Sequence, residues 1–221
     1  MTGGKRAAAR IVTDEAALAE IEQRRKQREG RVLRLARAQL QRASAEIVEL
    51  RPRDARWFCL QVMSGFDFVV EKLFADCGVE VLAPRDKVTL VRRGKKIERE
   101  RAYFGGYVLA RFVPSPEAFD GIRKQKGIFG IVAGANGYLV VRDEEVRRFQ
   151  RLAPGAVSRM PTDKSIVEGS EAVIAYGPFA EMKCVVMAVK WSREARVRVR
   201  IVYDGNPFEI ADMPLAFLRK L

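Results

Sequence analysis

The spacing of apolar residues changes near residue 50, and this change divides the chain. Before it, apolar residues recur at alternating spacings of three and four, as on one face of a helix. They are Leu33, Ala36, Leu40, Ala43, Ile47 and Leu50. Thr13 suits an N-cap, and no proline occurs before Pro52. The pattern predicts a helical extension over residues 1–50, with a helix at 14–49 that is interrupted at Gly30.

The same extension contains many basic residues. Arg31, Arg34, Arg37 and Arg42 lie largely off the apolar stripe. Two interpretations fit this arrangement. One is an amphipathic helix that binds nucleic acid or a partner helix, and the other is a solvated extension of the domain that follows.

Residues 51–153, called the N-domain below, alternate short apolar runs with amphipathic segments. Strands are predicted at 57–62, 79–83 and 107–112, helices at 67–77, 116–125 and 143–149, and a hairpin with a basic tip around 92–96. This mixed order predicts an α+β fold, an α/β sandwich with helices packed on an antiparallel sheet.

Residues 154–164 contain two prolines and a glycine and are predicted to be a linker. Residues 165–221, called the C-domain below, show short valine-rich runs separated by turns such as Asp204-Gly205-Asn206-Pro207. Valine favours strands over helices. The pattern therefore predicts a small β-barrel of five strands, and not a helical hairpin.

Composition narrows the class of protein. The formal net charge is +13, and the excess lies in the first 153 residues, which favours polyanionic partners. No apolar run is long enough for a membrane span or a signal peptide, so we expect a cytoplasmic protein with no membrane partner. The three cysteines, Cys59, Cys77 and Cys184, are far apart and are predicted to be buried and unpaired.

Several kinds of catalytic site are missing from the sequence. The chain has no histidine, which removes Ser-His-Asp triads and the common zinc sites. It also lacks the phosphate-binding loop GxxxxGK[ST] and a complete dinucleotide fingerprint. Asp143, Glu144 and Glu145 are adjacent and fit the first turn of a helix better than a metal cluster. We expect no enzyme activity, cofactor or metal.

Several motifs of the N-domain resemble the NusG/RfaH family of transcription elongation and antitermination factors. The strand Trp57-Phe58-Cys59-Leu60-Gln61-Val62 and its Ser64-Gly65 turn resemble the opening strand of that family's NGN domain. The strand that ends at Pro84, the basic tip 92–96, the stretch 103–110 and the strand 126–132 follow in the family's order.

The C-domain resembles the family's KOW domain, a small SH3-like barrel. Its motifs are Tyr176-Gly177-Pro178-Phe179 and Asn206-Pro207-Phe208-Glu209-Ile210. Three positions depart from the pattern: Gly105 replaces a proline, Tyr176 a turn aspartate and Cys184 a glycine. A general factor and a specialised, operon-specific paralogue both remain open.

The resemblance implies a partner for the N-domain. In this family it binds the clamp helices of the largest subunit of RNA polymerase, which suppresses pausing. Matched by motif, the residues implied in that contact are Trp57, Phe58, Phe104, Tyr107 and Ile131. Aromatic side chains suit such an interface because they bury large areas at low entropic cost.

The resemblance also implies nucleic-acid and protein contacts elsewhere. Arg92, Arg93, Lys95 and Lys96 are expected to approach upstream DNA or nascent RNA, which would associate the protein with the nucleoid. Pro178 and Phe179 are expected to bind a second factor, Rho or the small ribosomal subunit. The alternative is a ribosome-associated or RNA-binding KOW protein that does not act on polymerase.

Overall fold

The fold is described from a computed structural model, which covers residues 3–92, 95–153, 155–192 and 194–221. Helices and strands are both present, and the strands form two five-stranded antiparallel sheets and two separate hairpins. Within those ranges, no helix combines the length and the apolar character that crossing a bilayer requires.

The first helix, α1, spans Gly3–Leu40 without a break. The predicted interruption at Gly30 is wrong, and Thr13 lies inside the helix instead of capping it. A single glycine costs a helix about 1 kcal/mol, and Gly30 is flanked by good helix formers that tolerate this cost. A short 3-10 turn follows, and then helix α2, Ala45–Leu50.

The end of α1 packs firmly on the N-domain. Leu40 and Ala43 are fully buried in the core, together with Ala36. A Cβ added to Gly121 of the following domain would lie 2.0 Å from the carbonyl oxygen of Gln39, so the two backbones touch where only glycine fits. Residues 17–32, in contrast, are exposed all around the helix.

The N-domain contains a sheet in the order β2-β5-β1-β6, with β9 also paired to β1. Two hairpins, β3 with β4 and β7 with β8, stand apart from this sheet. The elements are β1 Arg56–Val62, α3 Asp67–Asp76, β2 Glu80–Leu82, β3 Arg85–Arg92, β4 Lys95–Ala102, β5 Tyr107–Phe112, α4 Pro116–Arg123, β6 Ile128–Ile131, β7 Ala133–Gly134, β8 Gly137–Tyr138, β9 Val140–Val141 and α5 Asp143–Gln150.

Local sequence explains where the helices of this domain begin and end. The Ser115 hydroxyl accepts a hydrogen bond from the Ala118 amide at 3.1 Å, and Pro116 occupies the first turn of α4. Helix α3 ends before Gly78, whose φ of 77° suits the left-handed position after a helix. Helix α5 begins with three acidic residues and has two arginines near its end, as the helix dipole favours.

The two faces of the N-domain sheet bury different side chains. Phe58 of β1 and Val108 of β5 point to the face covered by α1, α3 and α4, whereas Trp57 and Tyr107 point to the opposite face. This alternation is the period-2 pattern expected of strands. The opposite face is covered by the C-domain.

The C-domain forms an antiparallel sheet in the order β13-β12-β11-β10-β14, as the predicted five-stranded barrel requires. Its strands are β10 Glu171–Ile174, β11 Lys183–Lys190, β12 Arg196–Tyr203, β13 Asn206–Pro214 and β14 Leu218–Lys220. Their inward side chains join one core with the covered face of the N-domain. The three cysteines are buried and free, as predicted.

Candidate functional site

The candidate site is the aromatic face of the N-domain that lies beneath the C-domain. Strands β1 and β5 contribute Trp57 and Tyr107, and the loop before β5 contributes Tyr103 and Phe104. Helix α5 adds Phe149, whose ring centroid lies 5.7 Å from that of Phe104. Together these rings form one continuous apolar surface, called the aromatic face below.

The C-domain covers the aromatic face with rings of its own. Phe179 lies 5.2 Å from Tyr107 and 5.7 Å from Phe104, in edge-to-face geometry. Phe217 lies 5.6 Å from Phe104. Such pairs contribute about 0.5–1.5 kcal/mol each beyond the area that they bury. The arrangement in which the C-domain covers this face is called the closed form below.

The turn that contains Phe179 fits closely against the N-domain. Gly177 has a φ of 104°, and a Cβ at this position would lie 2.4 Å from the Phe104 ring. A side chain here would therefore push the turn off the aromatic face. Next to it, the Arg148 guanidinium lies 5.0 Å from the centre of the Tyr176 ring, a cation–π contact between the domains.

Hydrogen bonds also cross between the domains. The Tyr107 hydroxyl donates to the Glu209 carbonyl at 2.8 Å. The Gly105 amide donates to the Asp212 carbonyl at 3.2 Å. A proline at position 105, as in the family motif, would have no N–H for this bond. At the far edge, the Asn206 side chain donates to the Ala133 carbonyl at 3.1 Å.

An ionic cluster closes one side of the interface. The Asp212 carboxylate accepts hydrogen bonds from Arg101 of the N-domain and from Arg196 of the C-domain, at 2.9–3.2 Å. The side chain of Arg196 is only 2% exposed, and it also donates to the Ala102 carbonyl at 3.0 Å. Arg101, Arg196 and Asp212 are called the ionic latch below.

The electrostatics of the interface follow from burial and from this latch. Burial acts to raise the pKa of Asp212, but the hydrogen bonds and charges of Arg196 and Arg101 outweigh it, so the pKa lies below its usual range. The carboxylate is therefore ionised at neutral pH. Burial raises the pKa of Tyr107 and Tyr103, and it raises that of the Cys184 thiol to about 11.

The segment between the domains is also held in place. Asp86 accepts a hydrogen bond from the Gly155 amide at 2.7 Å. Val157 lies in a short 3-10 turn, and both it and Ile166 are buried in the core that the two domains share. Pro154, within the predicted linker, lies outside the described residues.

The five residues predicted to contact polymerase lie on both faces of the sheet. Trp57, Phe104 and Tyr107 belong to the aromatic face beneath the C-domain. Phe58 and Ile131 lie on the opposite face, where Phe58 packs against Phe112 with ring centroids 4.6 Å apart. Phe58 therefore belongs to the core under the helices, which no movement of the C-domain would uncover.

The other predicted residues have different surroundings. Pro178 and Phe179 are buried, and Phe179 lies in the interface with the N-domain. The backbones of Arg92, Lys95 and Lys96 lie at the ends of β3 and β4. Their side chains and all of Arg93 lie outside the described part of the chain, so the nucleic-acid contact of this loop stays a prediction.

The sequence did not reveal the ionic latch or the contact between Asp86 and Gly155. Both join residues far apart in the chain, and no local spacing connects them. One feature of the sequence could have indicated the ionic latch. Asp212 is a charged residue within an otherwise apolar strand end, Ile210-Ala211-Asp212-Met213. In the described ranges, no group of three or more Cys, Asp or Glu side chains is placed to hold a metal ion.

Comparison with known proteins shows which family this chain resembles. Residues 55–150 match the family model described as transcription termination factor nusG. The chain therefore resembles the NusG family. Its relatives include the transcription termination/antitermination protein NusG of Yersinia pestis, 29% identical over 175 residues, which are 70% of this chain and 92% of that protein.

Two further NusG proteins align with a comparable share of this chain. That of Vibrio cholerae is 28% identical over 171 residues, which are 70% of this chain and 91% of the relative. A solved NusG structure from Thermotoga maritima is 20% identical and covers 76% of this chain and 98% of its own, with a TM-score of 0.38. The family model begins at residue 55, so helix α1 lies before the matched range.

Proposed function

We propose that this chain is a cytoplasmic, non-enzymatic transcription factor that binds RNA polymerase through the aromatic face of its N-domain. The named relatives are transcription termination/antitermination proteins, which supports a role in transcription. The observation that favours this surface is its composition: Trp57, Phe104 and Tyr107 present three large rings on one side of the sheet. A few residues supply most of the binding energy in protein interfaces, and Trp and Tyr are enriched among them.

The closed form hides this surface, so binding requires the C-domain to move away. The same movement would uncover Phe179 and Pro178, the residues proposed to bind a second factor through the KOW domain. One opening step would therefore make both proposed contacts available. The polymerase clamp on the aromatic face would compete with the C-domain and favour the open form.

Two variants distinguish this proposal from a general loss of structure. Both are expected to favour the open form. Tyr107→Ala removes a ring of the aromatic face together with its bond to Glu209. Asp212→Asn weakens the ionic latch but leaves every ring in place. Affinity for purified RNA polymerase is measured for both by a pull-down or by biolayer interferometry.

We expect Tyr107→Ala to bind polymerase at least about thirtyfold more weakly than Asp212→Asn, because truncating an anchoring aromatic costs roughly 2 kcal/mol or more. We expect Asp212→Asn to bind at least as tightly as the natural chain. Equal affinity of the two variants would show that the aromatic face is not the contact. Capture of ribosomal RNA without polymerase would favour the ribosome-associated alternative.

A further inference from the structure

The exposed part of helix α1 carries a row of arginines on one side. Glu22 and Glu29 continue the line of Leu33, Ala36 and Leu40, the side of the helix that packs on the N-domain, since these residues follow one another at spacings of seven, four, three and four. Arg24, Arg28 and Arg31 follow one another at spacings of four and three on the reverse side, with Arg34 beside them.

The orientation of this helix is set by its docked end. Leu40 and Ala36 are buried, Gln125 donates to the Gln39 side chain at 3.0 Å, and the Gly121 backbone touches Gln39. A straight helix anchored in this way turns its reverse side away from the N-domain. The four arginines are called the basic stripe below. Arg24, Arg28 and Arg31 point outward, whereas Arg34 borders a groove that Glu46, Glu49 and Asp76 also line.

Most of the basic stripe has no acidic partner. Arg24 pairs with Glu20 at 2.7 Å. Arg28, Arg31 and Arg34 form no ion pair with any of the residues that the structure describes. All four side chains are exposed. The stripe thus presents unneutralised positive charge on a solvent-facing surface.

We propose that the basic stripe binds the phosphate backbone of duplex DNA. From Arg24 to Arg34 the helix rises about 15 Å, over which duplex DNA carries about nine phosphate charges. A helix with its side chains is about 10–12 Å wide, close to the width of the major groove. This site lies outside the range matched by the family model and goes beyond the proposed contact with polymerase.

Two other occupants fit the stripe less well. Residues 17–42 contain no aromatic side chain, so the helix lacks the rings on which single-stranded bases stack. A second copy of the chain would use the heptad line of Leu18, Ile21, Arg25, Arg28, Val32 and Leu35. Arginines occupy the middle of that line, and they would meet each other in either a parallel or an antiparallel pair.

The test measures binding of the full chain to a fluorescein-labelled duplex DNA by fluorescence anisotropy over a range of salt concentrations. The variant carries Arg28→Gln, Arg31→Gln and Arg34→Gln. The control carries Arg51→Gln, Lys72→Gln and Lys124→Gln, which change the net charge equally at exposed sites that already have acidic partners. Circular dichroism checks that α1 stays helical in both variants.

We expect the stripe variant to bind at least about tenfold more weakly at low salt. The slope of log K against log salt should become shallower by roughly 2 to 3, because each phosphate contact contributes about −0.9. The control should change the slope by less than about 1. No polymerase is present, so failure of this test leaves the proposed function standing.

Four outcomes would overturn the proposal. An equal loss in the control would mean that net charge, not the stripe, governs binding. Unchanged binding in the stripe variant would remove the site. If the stripe supports tighter binding to single-stranded DNA or RNA than to duplex DNA, its ligand is that nucleic acid instead. The last outcome is that vesicles with 20% phosphatidylserine capture the natural chain but not the stripe variant, while both bind DNA equally. The ligand of the stripe would then be a membrane surface.

Discussion

At the residue scale, Asp212 is where the two domains are joined by charge. Its carboxylate holds Arg101 of one domain and Arg196 of the other, and Arg196 is almost completely buried. Removing one partner of a buried guanidinium is costly, although Arg196 keeps its ion pair with Glu194 at 3.1 Å. The side chain of Asp212 is 39% exposed, so solvent screens part of that cost.

We therefore expect Asp212→Asn to destabilise the closed form relative to the open form by roughly 1–2 kcal/mol, which makes the open fraction about tenfold larger. The Gly105 amide reports this directly, because it donates across the interface to the Asp212 carbonyl. Its hydrogen-exchange rate, measured by NMR, should rise about tenfold.

A matched control lies on the same strand. Glu209→Gln also turns a carboxylate into an amide, but Glu209 pairs with the exposed Arg200 on the outside of the C-domain. Such a surface pair contributes little, so exchange at Gly105 should stay nearly unchanged. An unaltered Gly105 exchange rate in Asp212→Asn would show that the ionic latch does not hold the domains together.

At the element scale, local patterns predicted most of the strands and helices. Side chains alternate along β1 and β5, so Trp57 and Phe58 lie on opposite faces of the sheet. The resemblance by motif implies a polymerase contact for both residues. Valine-rich runs in β11 and β12 formed strands, which confirms the predicted barrel. Helix α4 begins at the predicted Pro116.

The predictions that were wrong at this scale concern α1. A glycine within a helix and a residue suited to an N-cap are local signals, and each changes helix stability by only about 1 kcal/mol. The docked end of the helix, with Leu40 and Ala43 buried, is a tertiary contact that no local signal contains. The packing of the C-domain on the aromatic face is also a tertiary contact, since it joins residues far apart in the sequence such as Phe104 and Phe217. Local patterns could not predict it.

The docking of α1 can be tested at Gly121. We expect Gly121→Ala to destabilise the protein by roughly 1–3 kcal/mol, because the new methyl group would lie 2.0 Å from the Gln39 carbonyl oxygen and overpack the contact between α1 and α4. Urea denaturation followed by circular dichroism measures the change.

Gly130→Ala provides the control, because a Cβ there meets no atom within 4 Å. Its stability should stay within about 0.5 kcal/mol of the natural chain. If Gly121→Ala proves as stable as Gly130→Ala, α1 is not packed on α4 in the way described, and the orientation of the basic stripe loses its support.

At the scale of the whole molecule, the two domains bury their proposed binding surfaces against each other. Phe104 and Tyr107 of the N-domain meet Phe179 of the C-domain, so neither domain can use these rings while the closed form persists. The segment between the domains is fixed by Asp86 and by the buried Val157. Opening therefore has to break contacts in the interface and, for a wide movement, in this segment as well.

The central claim is that polymerase binds the aromatic face only after the C-domain has left it. A Cβ at Gly105 would lie 3.8 Å from the Cβ of Asp212, which is about the mean separation in disulfides. The double variant Gly105→Cys and Asp212→Cys can therefore lock the closed form when oxidised. The three natural cysteines are buried and free, and the single variant Gly105→Cys controls for oxidation itself.

The deciding measurement is the affinity of this double variant for RNA polymerase before and after reduction. The account predicts that the oxidised, locked form binds at least about thirtyfold more weakly than the reduced form, in which the ionic latch is also missing. Equal affinity of the oxidised and reduced forms would contradict it, because polymerase would then bind the chain with the aromatic face still covered.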